Sequence, residues 1–225
     1  TGDVTSLSAD ELALGHRTSA LKTGQLSGVV LSVTFRLTPS DHSLPIAYAQ
    51  LADTLEVAIG DTVALSRLRE TVLALRHSKG MVVDPDDPDS RSVGSFFVNP
   101  VVTERFAHSL PAEAPKWLLD AVPDRAVPLD DGPGVAHSDE QVVPIEAMVK
   151  LSAAWLIEHS GISKGFRLPG SGAAVSGKHT LAITNPGKAT AEDVAALARY
   201  IRTHVANAFG VVLQPEPVLV GIPLD

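Results

Sequence analysis

The chain of 225 residues contains no cysteine, few aromatic residues and no excess of positive charge. The absence of cysteine excludes disulfides, thiolate metal sites and a cysteine nucleophile, and it fits a reducing cytoplasm, where we expect the protein. The net charge of -8 argues against binding to nucleic acid, which requires a basic face. It leaves room for a local basic pocket that binds an anionic small molecule.

Other signals are also absent. No apolar run approaches the ~20 residues that a membrane span needs, so we expect no membrane partner. The start, Thr1-Gly2-Asp3, has neither the basic nor the hydrophobic region of a signal peptide, and its lack of Met suggests that the chain begins inside a longer protein. Neither glycine-rich phosphate-binding motif occurs. The eight histidines never show H-x-x-x-H spacing, so we expect no metal site.

The hydrophobic periodicity predicts mixed helices and strands without strict alternation, which indicates an α+β fold. Helices are predicted after the capping box Ser8-Ala9-Asp10-Glu11, ending near Gly15, and over residues 49–55, 63–78, 103–109, 145–159 and 191–209. Strands are predicted over residues 28–37, 173–175, 180–184, 211–213 and 218–222. Residues 84–89 and 129–141 are predicted to be loops, and the acidic loop 84–89 is a candidate domain boundary.

The stretch Val93-Gly94-Ser95-Phe96-Phe97-Val98-Asn99-Pro100 combines several unusual features. Gly94 allows a tight turn or a close approach to a ligand. Ser95 then places a hydroxyl at the bend, and two phenylalanines follow in a chain that is poor in aromatics. Pro100 ends the segment. One interpretation is a simple turn in which Ser95 caps a backbone group, and the other is a positioned functional hydroxyl.

Glu216 is the most informative single residue on chemical grounds. Pro215 and Pro217 flank it and fix the backbone, so its carboxylate is held in one place. It is either a solvated residue at a strand end or a positioned general acid or electrostatic group.

Four segments occur in an order that resembles a known family. They are Gly94–Pro100, then Lys150-Leu151-Ser152-Ala153-Ala154-Trp155-Leu156-Ile157-Glu158, then Gly172-Ala173-Ala174-Val175, and finally Leu213-Gln214-Pro215-Glu216. Together they resemble the C-terminal portion of the UDP-N-acetylenolpyruvoylglucosamine reductase family of flavoenzymes. The resemblance runs from Gly15-His16-Arg17-Thr18-Ser19 onward and so covers nearly the whole chain.

The resemblance implies a fold and an activity. Residues 1–80 would be the C-terminal part of an FAD-binding lobe with an antiparallel sheet and helices. Residues 81–213 would form an α+β substrate-binding lobe, and residues 214–225 a strand that returns to the FAD lobe. The implied reaction is the NADPH-dependent reduction of the enolpyruvyl group of UDP-N-acetylglucosamine enolpyruvate to UDP-N-acetylmuramate, in peptidoglycan synthesis. A monomer is expected.

The resemblance also implies roles for individual residues. Ser95 would protonate C2 of the enolpyruvyl group after hydride arrives at C3 from FAD. Glu216 and Arg17 would polarise the substrate carboxylate, with Arg17 close to the flavin. The residues that would hold the UDP-sugar are Tyr48, Lys79, Asn99 and Lys164.

The chain departs from the family pattern in several places. His16 stands where a tyrosine is usual, and Ser92-Val93 replaces a common Asn-Ala pair. A polar glutamine position falls near Lys178-His179. The family's glycine-rich flavin-pyrophosphate loop is absent from these residues, so we expect this chain alone to be inactive. Two alternatives stay open: a UDP-sugar-binding fragment without catalysis, and another FAD-linked oxidase of related fold.

Overall fold

The computed structural model describes residues 2–15, 18–119 and 147–224. It is an α+β structure, as predicted, with small antiparallel sheets and helices. The helices are α1 (Ala49–Leu55), α2 (Leu65–Ser78), α3 (Glu104–His108), α4 (Ala153–His159) and α5 (Ala191–Phe209), with a short 3-10 helix at Pro88–Ser90. The strands are β1 (Ser92–Ser95), β2 (Val101–Thr103), β3 (Lys116–Leu118), β4 (Met148–Leu151), β5 (Ala174–Val175) and β6 (Ala182–Thr184).

The chain divides into two compact units, residues 1–42 and residues 43–225. In the first unit the predicted capping box forms, because Ser8 N–H donates to Glu11 Oε2 at 2.7 Å and Glu11 N–H donates to Ser8 Oγ at 3.3 Å. The predicted helix is wrong, however, since residues 9–13 form only turns. Ala13 has a left-handed φ of 45°, which ends the turn before a helix can propagate.

The strand predicted over residues 28–37 is also wrong. The segment has the alternation and β-branched residues of a strand, yet no residue in it pairs with any other part of the chain that is described. Its apolar side chains lie in solvent, with Val29 85% and Phe35 76% exposed. A strand needs a neighbour to satisfy its N–H and C=O groups, and the pattern alone does not supply one.

The second unit contains two three-stranded antiparallel sheets. One has the order β1-β6-β5 and the other β2-β4-β3. The predicted hairpin of residues 173–175 and 180–184 is confirmed as β5 and β6, in which Ala174 lies opposite Thr184. β1 pairs with β6 through Ser92–Thr184 and Ser95–Ala182, with a register shift between these pairs.

The helix predicted over residues 145–159 is half right. Residues 120–146, which include the predicted loop 129–141, lie outside the described residues. Residues 148–151 form strand β4, because β2 and β3 pair with it on either side. The helix starts only at Ala153, where Ser152 Oγ accepts from the Trp155 N–H at 3.2 Å.

Helix α5 matches its prediction residue for residue. Thr190 and Asp193 form a reciprocal capping box, and Gly210 ends the helix with a left-handed φ of 69°. Its apolar stripe is fully buried: Leu197, Ile201 and Val205 are each at most 1% exposed. The stripe packs into a single core formed by both sheets and by helix α4.

The other helix predictions are confirmed within two residues. Helices α1 and α2 pack on a small separate apolar cluster around Ile46 and Leu55. The predicted strands 211–213 and 218–222 are wrong, since these segments have no ladder and only Pro215 bridges to Phe97. Val211 and Leu213 instead bury their side chains in the core. No helix in the described part of the chain is long and apolar enough to cross a bilayer.

Candidate functional site

Strand β1 carries a bulge that places Ser95. Gly94 has a positive φ of 79°, a conformation that disfavours residues with a side chain, and its N–H donates to Ser92 Oγ at 3.2 Å. A methyl group at Gly94 would meet nothing within 4 Å, so the backbone conformation is what calls for glycine. The structure places Gly94 inside strand β1 at this irregularity rather than in a tight turn, and a close approach to a ligand stays a prediction.

Two buried rings fix the chain directly after Ser95. Phe96 and Phe97 are 3% and 2% exposed, and their rings meet edge to face with centroids 5.1 Å apart. The Phe96 N–H donates to Leu181 O at 2.7 Å, which ties this segment to the end of the β5–β6 hairpin. Ser95 itself is partly exposed.

The segment that carries Glu216 runs beside the same strand. Glu216 N–H donates to Phe96 O at 2.9 Å, and Val98 N–H donates to Gln214 O at 3.1 Å. These bonds bring the backbone of Glu216 within one residue of Ser95, although the two are far apart in the sequence. The Glu216 side chain is exposed.

His179 faces Ser95 from the hairpin turn. Its Nε2 lies 3.4 Å from Ser95 Oγ. Burial lowers the pKa of His179, and the positive charges of Lys79 and Lys164 lower it further, whereas Glu158 raises it. The two lysines that were predicted to meet a diphosphate therefore act on one imidazole, beside the Ser95 hydroxyl.

Helices α1 and α2 contribute one side of this cluster. Lys79 is the C-terminal cap of α2, and its Nζ donates to Gln50 Oε1 at 2.8 Å. Gln50 lies in α1, two residues after Tyr48, which caps the N-terminus of that helix and is 76% exposed. The Lys79 side chain is thus tied to α1 through Gln50, a residue that the sequence analysis did not single out.

Asn99 and Lys164, the other two residues predicted to hold the UDP-sugar, both follow these helices in the sequence. The Asn99 side chain is exposed, and its Oδ1 accepts from Ala153 N–H at 3.0 Å, so an anionic ligand would have to be met by its amide nitrogen. Lys164 is exposed, and the next residue, Gly165, donates its N–H to Val175 O at 3.0 Å, which ties this loop to strand β5.

The acidic loop 84–89 holds the hairpin turn, a role that the sequence analysis missed. Lys178 Nζ contacts Asp87 Oδ2 at 2.8 Å, and Ser176 Oγ donates to Asp89 Oδ2 at 3.2 Å. The hydrogen bond from Lys178 holds the pKa of Asp87 below its usual value, and the same bond raises the pKa of Lys178. A run of aspartates next to a basic turn was the available signal, but only the fold shows that they meet.

The remaining predicted site residue is Arg17, which lies outside the described residues, as does His16. Among the residues that are described, no group of three or more histidine, aspartate or glutamate side chains could hold a metal ion. The structure therefore brings Ser95 close to the backbone of Glu216 and adds His179, whose pKa the charges of Lys79 and Lys164 help to lower.

These features describe an α+β domain with a partly exposed serine beside a histidine on which two lysine charges act, which suits an anionic small ligand. Comparison with known proteins agrees with that class. Residues 86–220 match the family described as UDP-N-acetylenolpyruvoylglucosamine reductase, C-terminal domain. The chain belongs to this family, and the match includes the segment from Gly94 to Pro100.

Relatives that bear the name UDP-N-acetylenolpyruvoylglucosamine reductase include proteins from three bacteria. The Leifsonia xyli subsp. xyli protein is 55% identical over all of this chain and 61% of its own length. The Mycobacterium tuberculosis protein is 45% identical over all of this chain and 57% of its own length. The Thermobifida fusca protein is 46% identical over 97% of this chain and 56% of its own length. The chain thus spans about three fifths of the length of these relatives.

Proposed function

We propose that this chain is the substrate-binding and proton-donating portion of an NADPH- and FAD-dependent reductase. The reductase would convert the enolpyruvyl group of UDP-N-acetylglucosamine enolpyruvate to the lactyl group of UDP-N-acetylmuramate. The proposal rests on the family to which the chain belongs, together with one geometric observation. Ser95 is partly exposed on strand β1, beside the imidazole of His179. The pKa of that imidazole is lowered by burial and by the charges of Lys79 and Lys164.

We expect most of the residues that bind the flavin to lie in parts of the protein other than the described residues. A flavin pyrophosphate is commonly bound by a glycine-rich turn at a helix N-terminus, and none of the helix N-termini described here has such a turn. When bound, FAD would supply the hydride that reaches C3 of the enolpyruvyl group. Arg17 is proposed to lie near the flavin.

The chain's own residues account for the proton. Hydride addition at C3 places negative charge on C2 and on the substrate carboxylate. Ser95 is proposed to give its hydroxyl proton to C2, while Glu216 and Arg17 stabilise the charge that develops on the carboxylate. A serine hydroxyl is a weak acid in water, but a carbanion-like centre within hydrogen-bonding distance is basic enough to take its proton.

The nucleotide part of the substrate would be met by residues of the same unit. Lys79 and Lys164 are proposed to bind the diphosphate as point charges, with Tyr48 and the amide nitrogen of Asn99 as further contacts. The Gln50 bond holds Lys79 before any ligand arrives, which lowers the entropy that binding would otherwise lose.

The test uses the full-length protein and follows the flavin absorbance in two separate half-reactions. In Ser95→Ala we expect NADPH to reduce the flavin at the normal rate, whereas reoxidation by the enolpyruvyl substrate should slow about 10²–10⁴-fold. Ser109→Ala is the matched control, since it removes an exposed hydroxyl at the C-terminal cap of α3, and it should leave both rates near normal. Equal slowing of both half-reactions in Ser95→Ala would contradict the role of Ser95.

The same preparation separates the two alternatives. A flavin that NADPH bleaches but that the enolpyruvyl substrate does not restore would favour another FAD-linked oxidase. A full-length protein that binds the UDP-sugar and contains no flavin would favour a binding protein without catalysis.

A further inference from the structure

His179 is held by its surroundings in a position where it can exchange a proton with Ser95. The separation of 3.4 Å between His179 Nε2 and Ser95 Oγ is long for a strong hydrogen bond. Catalytic hydrogen bonds are commonly long before substrate binds and shorten in the complex. The contact is not an accident of two mobile side chains, because strand β1 fixes Ser95 and the hairpin turn fixes His179.

The hairpin turn is bonded on both sides. Ser176 is fully buried, and its Oγ accepts from Lys178 N–H at 3.0 Å and from His179 N–H at 3.1 Å. The same hydroxyl donates to Asp89, and the Lys178 ammonium is paired with Asp87. The acidic loop therefore fixes the backbone of His179 at an angle that directs the imidazole toward Ser95.

The charges around His179 depend on whether an anion is present. Burial opposes its protonation most, and the charges of Lys79, at the end of α2, and of Lys164, after α4, oppose it further. Glu158, in α4, favours protonation, and its carboxylate accepts a short hydrogen bond from Thr180 Oγ1, next to His179. A diphosphate between the two lysines would offset their charge and raise the pKa of His179.

Building on the function proposed above, we propose that His179 is the proton donor to Ser95 and that binding of the UDP-sugar diphosphate is what protonates it. As the Oγ–H bond of Ser95 breaks and the C2–H bond forms, the imidazolium Nε2–H bond breaks and a new Oγ–H bond forms. Ser95 ends as a hydroxyl and His179 as a neutral imidazole, which takes a proton from water when the next substrate binds. A free serine alkoxide, which would be strongly basic, never accumulates.

Lys79 and Lys164 then have two functions in one place. Without ligand they add to burial in lowering the pKa of His179, and a bound diphosphate would offset their charge and raise that pKa. The proton is thus available only when a substrate is present to receive it. His179 acts through Ser95, so it is a positioning and proton-supplying residue rather than one that contacts the reacting carbon.

The first experiment measures proton uptake without turnover. UDP-N-acetylglucosamine is titrated calorimetrically into the full-length protein with oxidised flavin and no NADPH, in buffers of different ionisation enthalpy. We expect net proton uptake, approaching one proton per ligand, in the wild type and in the control His108→Gln, which changes an exposed histidine at the end of α3. His179→Gln should bind the ligand but take up no proton.

The outcomes separate this proposal from the one on which it rests. Binding with equal uptake in wild type and His179→Gln, or binding with no uptake in the wild type, would overturn the role of His179 and leave the proposed function standing. An absence of any binding heat would count against the proposed function itself, and against this inference with it.

The second experiment measures the pH profile of flavin reoxidation by the enolpyruvyl substrate after reduction with NADPH. In the wild type the rate should fall as pH rises through the ligand-bound pKa of His179, because the imidazolium is the donor. His179→Gln should be about 10²-fold slower at the low-pH plateau and should lose this dependence. Added imidazole should restore part of the rate in His179→Ala. A wild-type profile that is retained in His179→Gln would refute the relay.

Discussion

Residues 28–37 and residues 92–98 are both apolar segments, but they differ in pairing and in burial in the structure. Both segments contain valine and phenylalanine, and each has a glycine at or near its start. Phe35 is 76% exposed, whereas Phe97 is 2% exposed. The second segment has β6 on one side and residues 214–216 on the other, while the first has no pairing partner in the part of the chain that is described.

The difference shows that an alternating pattern indicates that a segment could form a strand. It does not indicate whether the fold supplies a neighbouring strand to pair with it. Helix α5 does not depend on a neighbour in this way, because its hydrogen bonds are internal and its caps are local. Four predictions test this contrast between partnered and unpartnered segments. Each compares one residue of the second unit with a similar residue of the first unit or of the protein surface.

The largest expected effect is the loss of a buried ring. Phe97→Ala should lower the free energy of unfolding by about 3–5 kcal/mol, because it removes a fully buried side chain and leaves a cavity. Phe35→Ala should change it by no more than about 0.5 kcal/mol, because that ring already lies in solvent. Urea unfolding of the full-length protein measures both. Similar losses would show that residues 28–37 are packed in the full-length protein.

The next effect concerns backbone conformation. Gly94→Ala should cost about 1–2 kcal/mol, since a Cβ atom is disfavoured at the positive φ of the bulge although nothing blocks it sterically. Gly28→Ala should be within about 0.5 kcal/mol of wild type, because Gly28 does not have a positive φ and a methyl group there would meet nothing within 4 Å. Thermal unfolding measures the two variants, and an unaffected Gly94→Ala would mean that the bulge relaxes.

A smaller effect separates the two capping boxes. Thr190→Ala should destabilise the protein by about 1 kcal/mol, because Thr190 Oγ1 accepts from Asp193 N–H at the start of a buried helix. Ser8→Ala should have an effect below about 0.5 kcal/mol, since its box caps no helix. Urea midpoints of both variants are the measurement. A larger loss in Ser8→Ala would indicate that the first unit is more ordered in the full-length protein than its turns suggest.

The smallest effect concerns pH. The pKa of Asp87 is held low by Lys178, so its contribution is present above the unfolded value of about 3.9 and is lost as pH falls further. Asp87→Asn should therefore be less stable than wild type at neutral pH, with a difference that shrinks in acid. Unfolding from pH 7 downward checks this against Asp86→Asn, an exposed neighbour. A difference that is constant with pH would remove the ion pair as its cause.

Much of the second unit was predictable because its signals are local. The capping box at Thr190, the glycine at 210 and one apolar stripe define α5 without reference to the rest of the chain. Strand β4 was predicted as helix, because Met148 and Leu151 fit helical spacing and only the flanking strands decide otherwise. Tertiary pairing outweighed periodicity there.

The residues of the candidate site likewise fall into those that the sequence indicated and those that only the fold shows. Ser95 and Glu216 were singled out from their neighbours in sequence and from the family resemblance, and their roles remain predictions. The family comparison pointed to the neighbourhood of Lys178-His179, but the approach of His179 to Ser95 could not be foreseen, because the two residues come from a hairpin turn and a strand that only the fold brings together. The link between Asp87 and Lys178 likewise depends on where an irregular loop folds back. Contacts made by turns across the fold have no periodic signal in the sequence.

The bonds that join residues 96–98 to residues 214–216 also set an order of events during synthesis. Phe96 O and the Val98 N–H find their partners in Glu216 and Gln214, which the ribosome adds after nearly all of the domain. Until then the strand that carries Ser95 has one open edge on a nascent chain, and such long-range closure is slow. The Ser95 hydroxyl would therefore reach its final setting only after Gln214 and Glu216 have been added, so a product that stops before them would contain Ser95 without its finished surroundings.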